Sequence, residues 1–256
     1  MSRIWQAVRK AHRGQPPPHA QLKGTLLRLV ESQEQVATNA VVDSAAEQEV
    51  LEQILERTKP PPRAGTEDAH YLLQAPFRYP PLAHGSRFGS RFEPSIFYGS
   101  REERTVLAEG AFYRFWFWSG ISRPPKKPLR TQHTVFKAGY RTARGFRLQD
   151  PPFNAHSEAL RDPCNYRETH ALGAAMRVAG IEAFEYVSAR DPEGGLNVAL
   201  FHPHALSPRN RILGREEWAC TTDSARVVYF APVRRATREF PLELFLVDGA
   251  LPAPAA

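Results

Sequence analysis

Cysteine is scarce in this 256-residue chain: only Cys164 and Cys220 occur. Two distant cysteines build neither a disulfide framework nor a C-x-x-C zinc pair, and the usage fits a reducing, cytoplasmic setting. No apolar run approaches the ~18 residues that would suggest a membrane span. The basic start MSRIWQAVRKAHRGQPPPHAQ has no apolar core and no small-residue cleavage site, so no secretory signal is expected. There is no G-x-G-x-x-G, no G-x-x-x-x-G-K-[ST] and no G-x-S-x-G, which excludes the dinucleotide-fold fingerprint, the P-loop and the nucleophile elbow. His202 and His204 stand two apart but have no third ligand near them in sequence, so no metal site is expected. No repeat of fixed period occurs.

The chain does have proline, 23 residues against 16 glycines, which predicts stiff loops and long connections. At 42% hydrophobic and 24% charged it can bury a core, in one or two domains. Its charge of +7 permits phosphate-bearing partners without naming one.

Ile4, Trp5 and Val8 form a short apolar anchor. Residues 22–36, with Leu26, Leu27, Leu29 and Val30, read as a helix. Ser44 and Glu47 make a capping box for a second helix carrying Val50, Leu51, Ile54 and Leu55, which stops at Pro60-Pro61-Pro62. Residues 1–68 therefore read as an N-terminal helical extension and linker, and 69–256 as the main domain. Within the latter, residues 96–98 read as a strand. Ser100 with Glu103 reads as the cap of a helix running to about Trp118, and residues 134–140 as a strand. Asn165 with Glu168 opens a helix over 166–179, closed by Gly180. Residues 181–187, 197–201, 226–230 and 242–247 are further strand candidates, and the proline-rich stretches 123–130 and 148–153 read as surface connections. Strands gathered toward the C-terminal half indicate an α+β class.

Chemistry concentrates in residues 85–109, GSRFGSRFEPSIFYGSREERTVLAE. Arg87, Tyr98 and Glu109 follow one another at intervals of eleven residues, across a loop, a strand end and the next helix. Glu109 shares a helical stripe with Val106, Tyr113 and Trp116. A carboxylate so placed is partly desolvated and has either a task or an arginine partner. Arg87, Arg91, Arg101 and Arg104 are a phosphate grip or a solvated face. Arg78, in APFRYPP, is held between apolar residues and proline. Ser188 leaves a buried strand in YVSARDPEGGLNVALF, where a hydroxyl orients a ligand or caps a turn.

Taken in order, Arg87–Tyr98–Glu109, the helix NYRETHALGAAMRVAGIEAFEY and the Ser188 segment resemble the RES-domain family, toxins of RES–Xre toxin–antitoxin systems; the likeness covers residues 69–205. It implies an ADP-ribosyltransferase-like fold, a split mixed sheet with flanking helices. It also implies degradation of NAD+ at the nicotinamide–ribose bond, with phosphate or water as acceptor. NAD+ is then a substrate, and no resident cofactor is implied. The implied catalytic residues are Arg87, Tyr98, Glu109 and Ser188. Arg78, Arg87, Tyr98 and Ser188 are implied to contact the dinucleotide; a phosphate acceptor needs its own cation, for which Arg190 and Arg91 are the candidates. The implied partner is an Xre-type antitoxin, in an oligomeric complex. Protein ADP-ribosylation is the alternative activity. A non-enzymatic phosphate- or nucleic-acid-binding module is a third, set back by the absence of any recognised nucleic-acid motif and by Glu109, a carboxylate such a surface does not need.

Overall fold

The structure, a computed structural model, describes residues 2–32 and 44–253. Among these residues eight strands form one mixed sheet: β1 Ala20–Glu31, β2 Phe97–Ser100, β3 Leu129–Arg147, β4 Ala183–Val187, β5 Leu196–Leu200, β6 Gly214–Thr222, β7 Arg226–Ala231 and β8 Ala236–Pro241. Their order is β1-β2-β5-β4-β3-β6-β7-β8, with β1 also paired to β3. The pairings β1–β2–β5–β4–β3 thus close into a ring, and β6, β7 and β8 continue outward as a meander. Only β3 and β4 run parallel. With the helices packed on this sheet the class is α+β, as expected.

Residues 22–36 do not form the expected helix. Their described part lies in β1, which pairs antiparallel with β3 from Ala20↔Gly145 to Glu31↔His133; residues 33–36 lie outside the described residues. The apolar residues sit on both faces of this strand, which erases the alternation that marks a half-buried one. Leu22 and Leu26 pack with Phe97 and Phe136, while Leu27 and Leu29 pack toward Trp218 and Tyr229. The N-terminal segment is therefore only partly helical, and its strand is built into the sheet.

Among the described residues there are six helices: α1 Arg3–Ala11, α2 Ala45–Thr58, α3 Tyr71–Arg78, α4 Glu103–Ser119, α5 Ser157–Arg161 and α6 Arg167–Val178; Val50, Ile54 and Leu55 of α2 are exposed. In α1, Ser2 Oγ caps by accepting from the Trp5 amide, and Ile4, Trp5 and Val8 join a core with Phe146, Leu172 and Met176. In α2, Ser44 Oγ accepts from the Glu47 amide at 3.2 Å, as the capping box predicts. Asn165 Oδ1 accepts from the Arg167 amide at the start of α6, and Gly180 closes it at φ +71°. On the other face, α4 buries Leu107, Ala111, Phe112 and Phe115 against Trp218, Tyr229 and Phe240. The Ser100–Glu103 box does not form: α4 begins later, with Glu102 at its N-cap and no side-chain bond.

Other differences have local causes. Residues 242–247 were expected as a strand, but Leu242–Phe245 coils into a 3₁₀ turn that sets Phe245 against Phe112 and Phe115. The connection at 123–130 ends early, because β3 begins at Leu129. The one at 148–153 buries Leu148 and Phe153 in the core. β6 and β8 went unread because they are rich in polar residues. Both cysteines are free, Cys164 exposed and Cys220 buried. Among the described residues no helix is long and apolar enough to cross a membrane.

His133, in β3, is 4% exposed. Its Nε2 lies 2.9 Å from Thr131 Oγ1, and its Nδ1 is buried without a partner. Burial, helped by the charge of Arg114, pushes its pKa down from 6.5 to about 4. The unfolded chain therefore takes up this proton more readily than the folded one, so acid favours unfolding. The loss starts as pH falls below the unfolded value of 6.5 and ends near 4. At about 1.4 kcal/mol per pH unit, urea unfolding at pH 7 and pH 4.5 should show the native chain losing roughly 2 kcal/mol more than His133→Gln. Equal losses would show that His133 is not the source.

Candidate active site

A cleft of about 1030 Å³ opens where β1 and β2 meet α4 and the segment 79–96. It sits at the upper end of the ~300–1,000 Å³ usual for small-molecule sites. Glu109 reaches it from the second turn of α4. Its Oε1 accepts two hydrogen bonds, from Ser188 Oγ at 2.7 Å and from Asn197 Nδ2 at 2.6 Å. Among the described residues Oε2 accepts none. Asn197, on β5, is itself fixed, because its Oδ1 accepts from the buried Ser100 hydroxyl at 2.6 Å. Ser100 is the last residue of β2 and its proton goes to this chain of bonds; α4 starts only at Glu103, too far on for Ser100 to be its N-cap.

Ser188 is fully buried. Its Oγ accepts from the amides of Arg190 and Asp191, each at 3.0 Å. A serine hydroxyl has one proton and two lone pairs. All three are used, so Ser188 has no hydrogen-bonding capacity left for a ligand. The residue sits with Glu109, and of its two expected roles the bonds show the turn cap, with the hydroxyl also positioning the carboxylate.

Two arginines line the cleft together with Tyr166. Arg87 is 9% exposed. It donates through Nη1 to the Asp162 carbonyl at 2.8 Å and lies 4.4 Å over the Tyr166 ring, and its Nη2 is buried without a partner. Arg190 is 5% exposed. It donates through Nη2 to the Pro163 carbonyl and the Tyr166 hydroxyl, both at 2.9 Å, and its guanidinium sits 3.6 Å from the centre of the Phe112 ring. Among the described residues neither has a carboxylate partner. Buried cations held only by carbonyls and aromatic faces keep most of their charge available to an incoming anion.

The Tyr98 hydroxyl is bonded to Ser86 Oγ at 3.0 Å and accepts from the Phe88 amide at 3.2 Å. Burial raises its pKa to about 12, so it stays protonated at neutral pH. Tyr98 lines the cleft, and its hydroxyl locks the loop that carries Arg87.

The remaining arginines disperse. Arg78 is not among the residues lining the cleft; its Nε donates to the Pro60 carbonyl and ties the end of α3 to the proline-rich segment. Arg91 lies over Phe92, outside the cleft. Arg101 pairs with Glu185, and Arg104 pairs with Asp191 and Glu193. The four-arginine cluster therefore contributes one cleft residue, Arg87. Sequence reading missed Asn197 and Arg28. Asn197 is a polar residue inside an apolar strand, a signal that was available, whereas Arg28 lay on the segment misread as helix.

The family model described as RES domain matches residues 60–223 of the chain. No curated protein matches it.

Proposed function

The chain belongs to the RES-domain family, and from that premise we propose that its cleft binds NAD+ and cleaves the nicotinamide–ribose bond, with phosphate or water as acceptor. The observation that carries the reading is the clamped carboxylate. Glu109 is held through Oε1 by Ser188 and Asn197 and has Oε2 free, beside two arginines that lack a counter-ion.

When the C–N bond between ribose and nicotinamide breaks, its electron pair stays on the ring nitrogen and neutral nicotinamide leaves. Positive charge then develops on the sugar. A fixed carboxylate stabilises that oxocarbenium-like state without reorganising at the moment of reaction. The ring of Tyr98 gives the nicotinamide or ribose a flat wall. Arg87, through its unused Nη2, binds a pyrophosphate oxygen. Arg190 rests on Phe112, one turn along α4 from Glu109, and supplies charge for an incoming phosphate. The acceptor's oxygen bonds to the sugar carbon, and water, if it is the acceptor, gives up a proton to solvent. In a RES–Xre pair, an Xre-type antitoxin silences this chemistry by covering the cleft.

The test is to incubate the purified chain with NAD+ and follow free nicotinamide by chromatography, with and without phosphate. Release of nicotinamide is expected. A phosphorylated ADP-ribose by mass marks phosphate as acceptor, free ADP-ribose marks water, and a mass increase on protein marks ADP-ribosyl transfer. No release under any condition refutes the proposal.

A further inference from the structure

The matched domain begins at residue 60, yet β1 supplies part of the cleft wall through Arg28, Leu29, Val30 and Glu31. Strand alternation divides these four. Leu29 follows Leu27 toward α4, whereas Arg28 and Val30 follow Leu26 to the opposite face, toward α3. The cleft follows them round, since Leu72, Ala75, Pro76 and Tyr79 of α3 and its exit line the same space. The residues named on this side of the cleft are apolar except for Arg28 and the Tyr79 hydroxyl.

Arg28 donates through Nη1 to the Tyr98 carbonyl at 2.7 Å and lies 5.2 Å over the Phe97 ring. Its Nε is buried without a partner, and no carboxylate pairs with it among the described residues. The carboxylates lining the cleft are Glu31 and Glu109. Glu31 is engaged by Arg114 at 3.4 Å, and Glu109 by Ser188 and Asn197. The cleft therefore holds a third uncompensated guanidinium, after Arg87 and Arg190, beside a mostly apolar stretch of wall that includes Tyr79.

We propose that this lobe is the subsite for the adenylate half of the dinucleotide, with Arg28 on its phosphate and the adenine between Val30, Leu72, Ala75, Pro76 and Tyr79. The inference rests on the NAD+-cleaving reading and adds to it: the N-terminal strand makes the site select a dinucleotide over a mononucleotide. The reasoning is charge and shape. Arg87 and Arg28 give one cation to each phosphate of a pyrophosphate, and an aromatic edge with apolar walls suits a purine ring.

The experiment compares nicotinamide release from NAD+ and from nicotinamide mononucleotide by the full chain, by Arg28→Gln and by Ala75→Phe. The second variant fills the lobe without touching Arg28. The native protein should prefer NAD+ in kcat/KM by about 10²-fold, and each variant should lower that preference at least about tenfold, mainly through the KM for NAD+. Thermal melts check that both variants fold. If the native protein uses the mononucleotide as well as NAD+, or if both variants leave the preference intact, the subsite is wrong while the NAD+ reading stands. If it uses neither, both fail together.

Discussion

Glu109→Gln is expected to lower NAD+ consumption by about 10²-fold or more while leaving the fold unchanged. The substitution is nearly isosteric, and a glutamine carbonyl can still accept from Ser188 and Asn197, so what disappears is the charge. A unit charge about 4 Å from a developing cation is worth about 4 kcal/mol at the effective dielectric of a partly shielded site. Loss of a preorganised electrostatic group usually costs ~10²–10³ in rate. The loss should fall on kcat, because the ground-state sugar carries little of the charge that Glu109 stabilises. Matched thermal melts separate this from misfolding. A folded Glu109→Gln protein that consumes NAD+ at close to the native rate would remove the carboxylate from the mechanism.

Much of this site was legible because its residues sit on elements with clear local signals. The strand at Tyr98 and the helix through Glu109 are adjacent in sequence and joined by a short turn, so both side chains had to face one crevice. The helix over 167–178 and the strands at 183–187 and 196–200 were visible in their periodicity and in Gly180. The rest depended on pairings that no local pattern records. β1 reads like a helix, because a strand buried on both faces shows consecutive apolar residues and no alternation. With β1 misread, the cleft lost one wall, and Arg28 drew no notice. For Ser188 the sequence left two tasks open, orienting a ligand or capping a turn, and only the coordinates show its proton on Glu109 and its lone pairs on two turn amides. Arg78 looked fixed, and it is, but by the Pro60 carbonyl.

The geometry that fixes Arg87 leads to a second large effect, away from the chemistry. Gly173→Ala should both destabilise the protein and weaken NAD+ binding. Gly173 lies on the buried face of α6. A Cβ there would stand 1.9 Å from the Phe88 carbonyl oxygen and 2.9 Å from its carbon. Those atoms are backbone, so no side-chain rotation relieves the clash, and helix and loop must part by about an ångström. Phe88 cannot follow freely, because its ring is wedged edge-on against Phe184 and Tyr186 at 4.7 and 4.8 Å. Its amide is also bonded to the Tyr98 hydroxyl. Alanine gains about 1 kcal/mol of helix propensity over glycine, but overpacking against rigid backbone costs ~3 kcal/mol or more. The net loss of about 2 kcal/mol should lower Tm by roughly 4–8 °C for a chain of this size. Arg87 is the neighbour of the displaced residue, so the KM for NAD+ should rise more than kcat falls. A Gly173→Ala protein with native Tm and KM would mean that α6 does not set the position of the Arg87 loop.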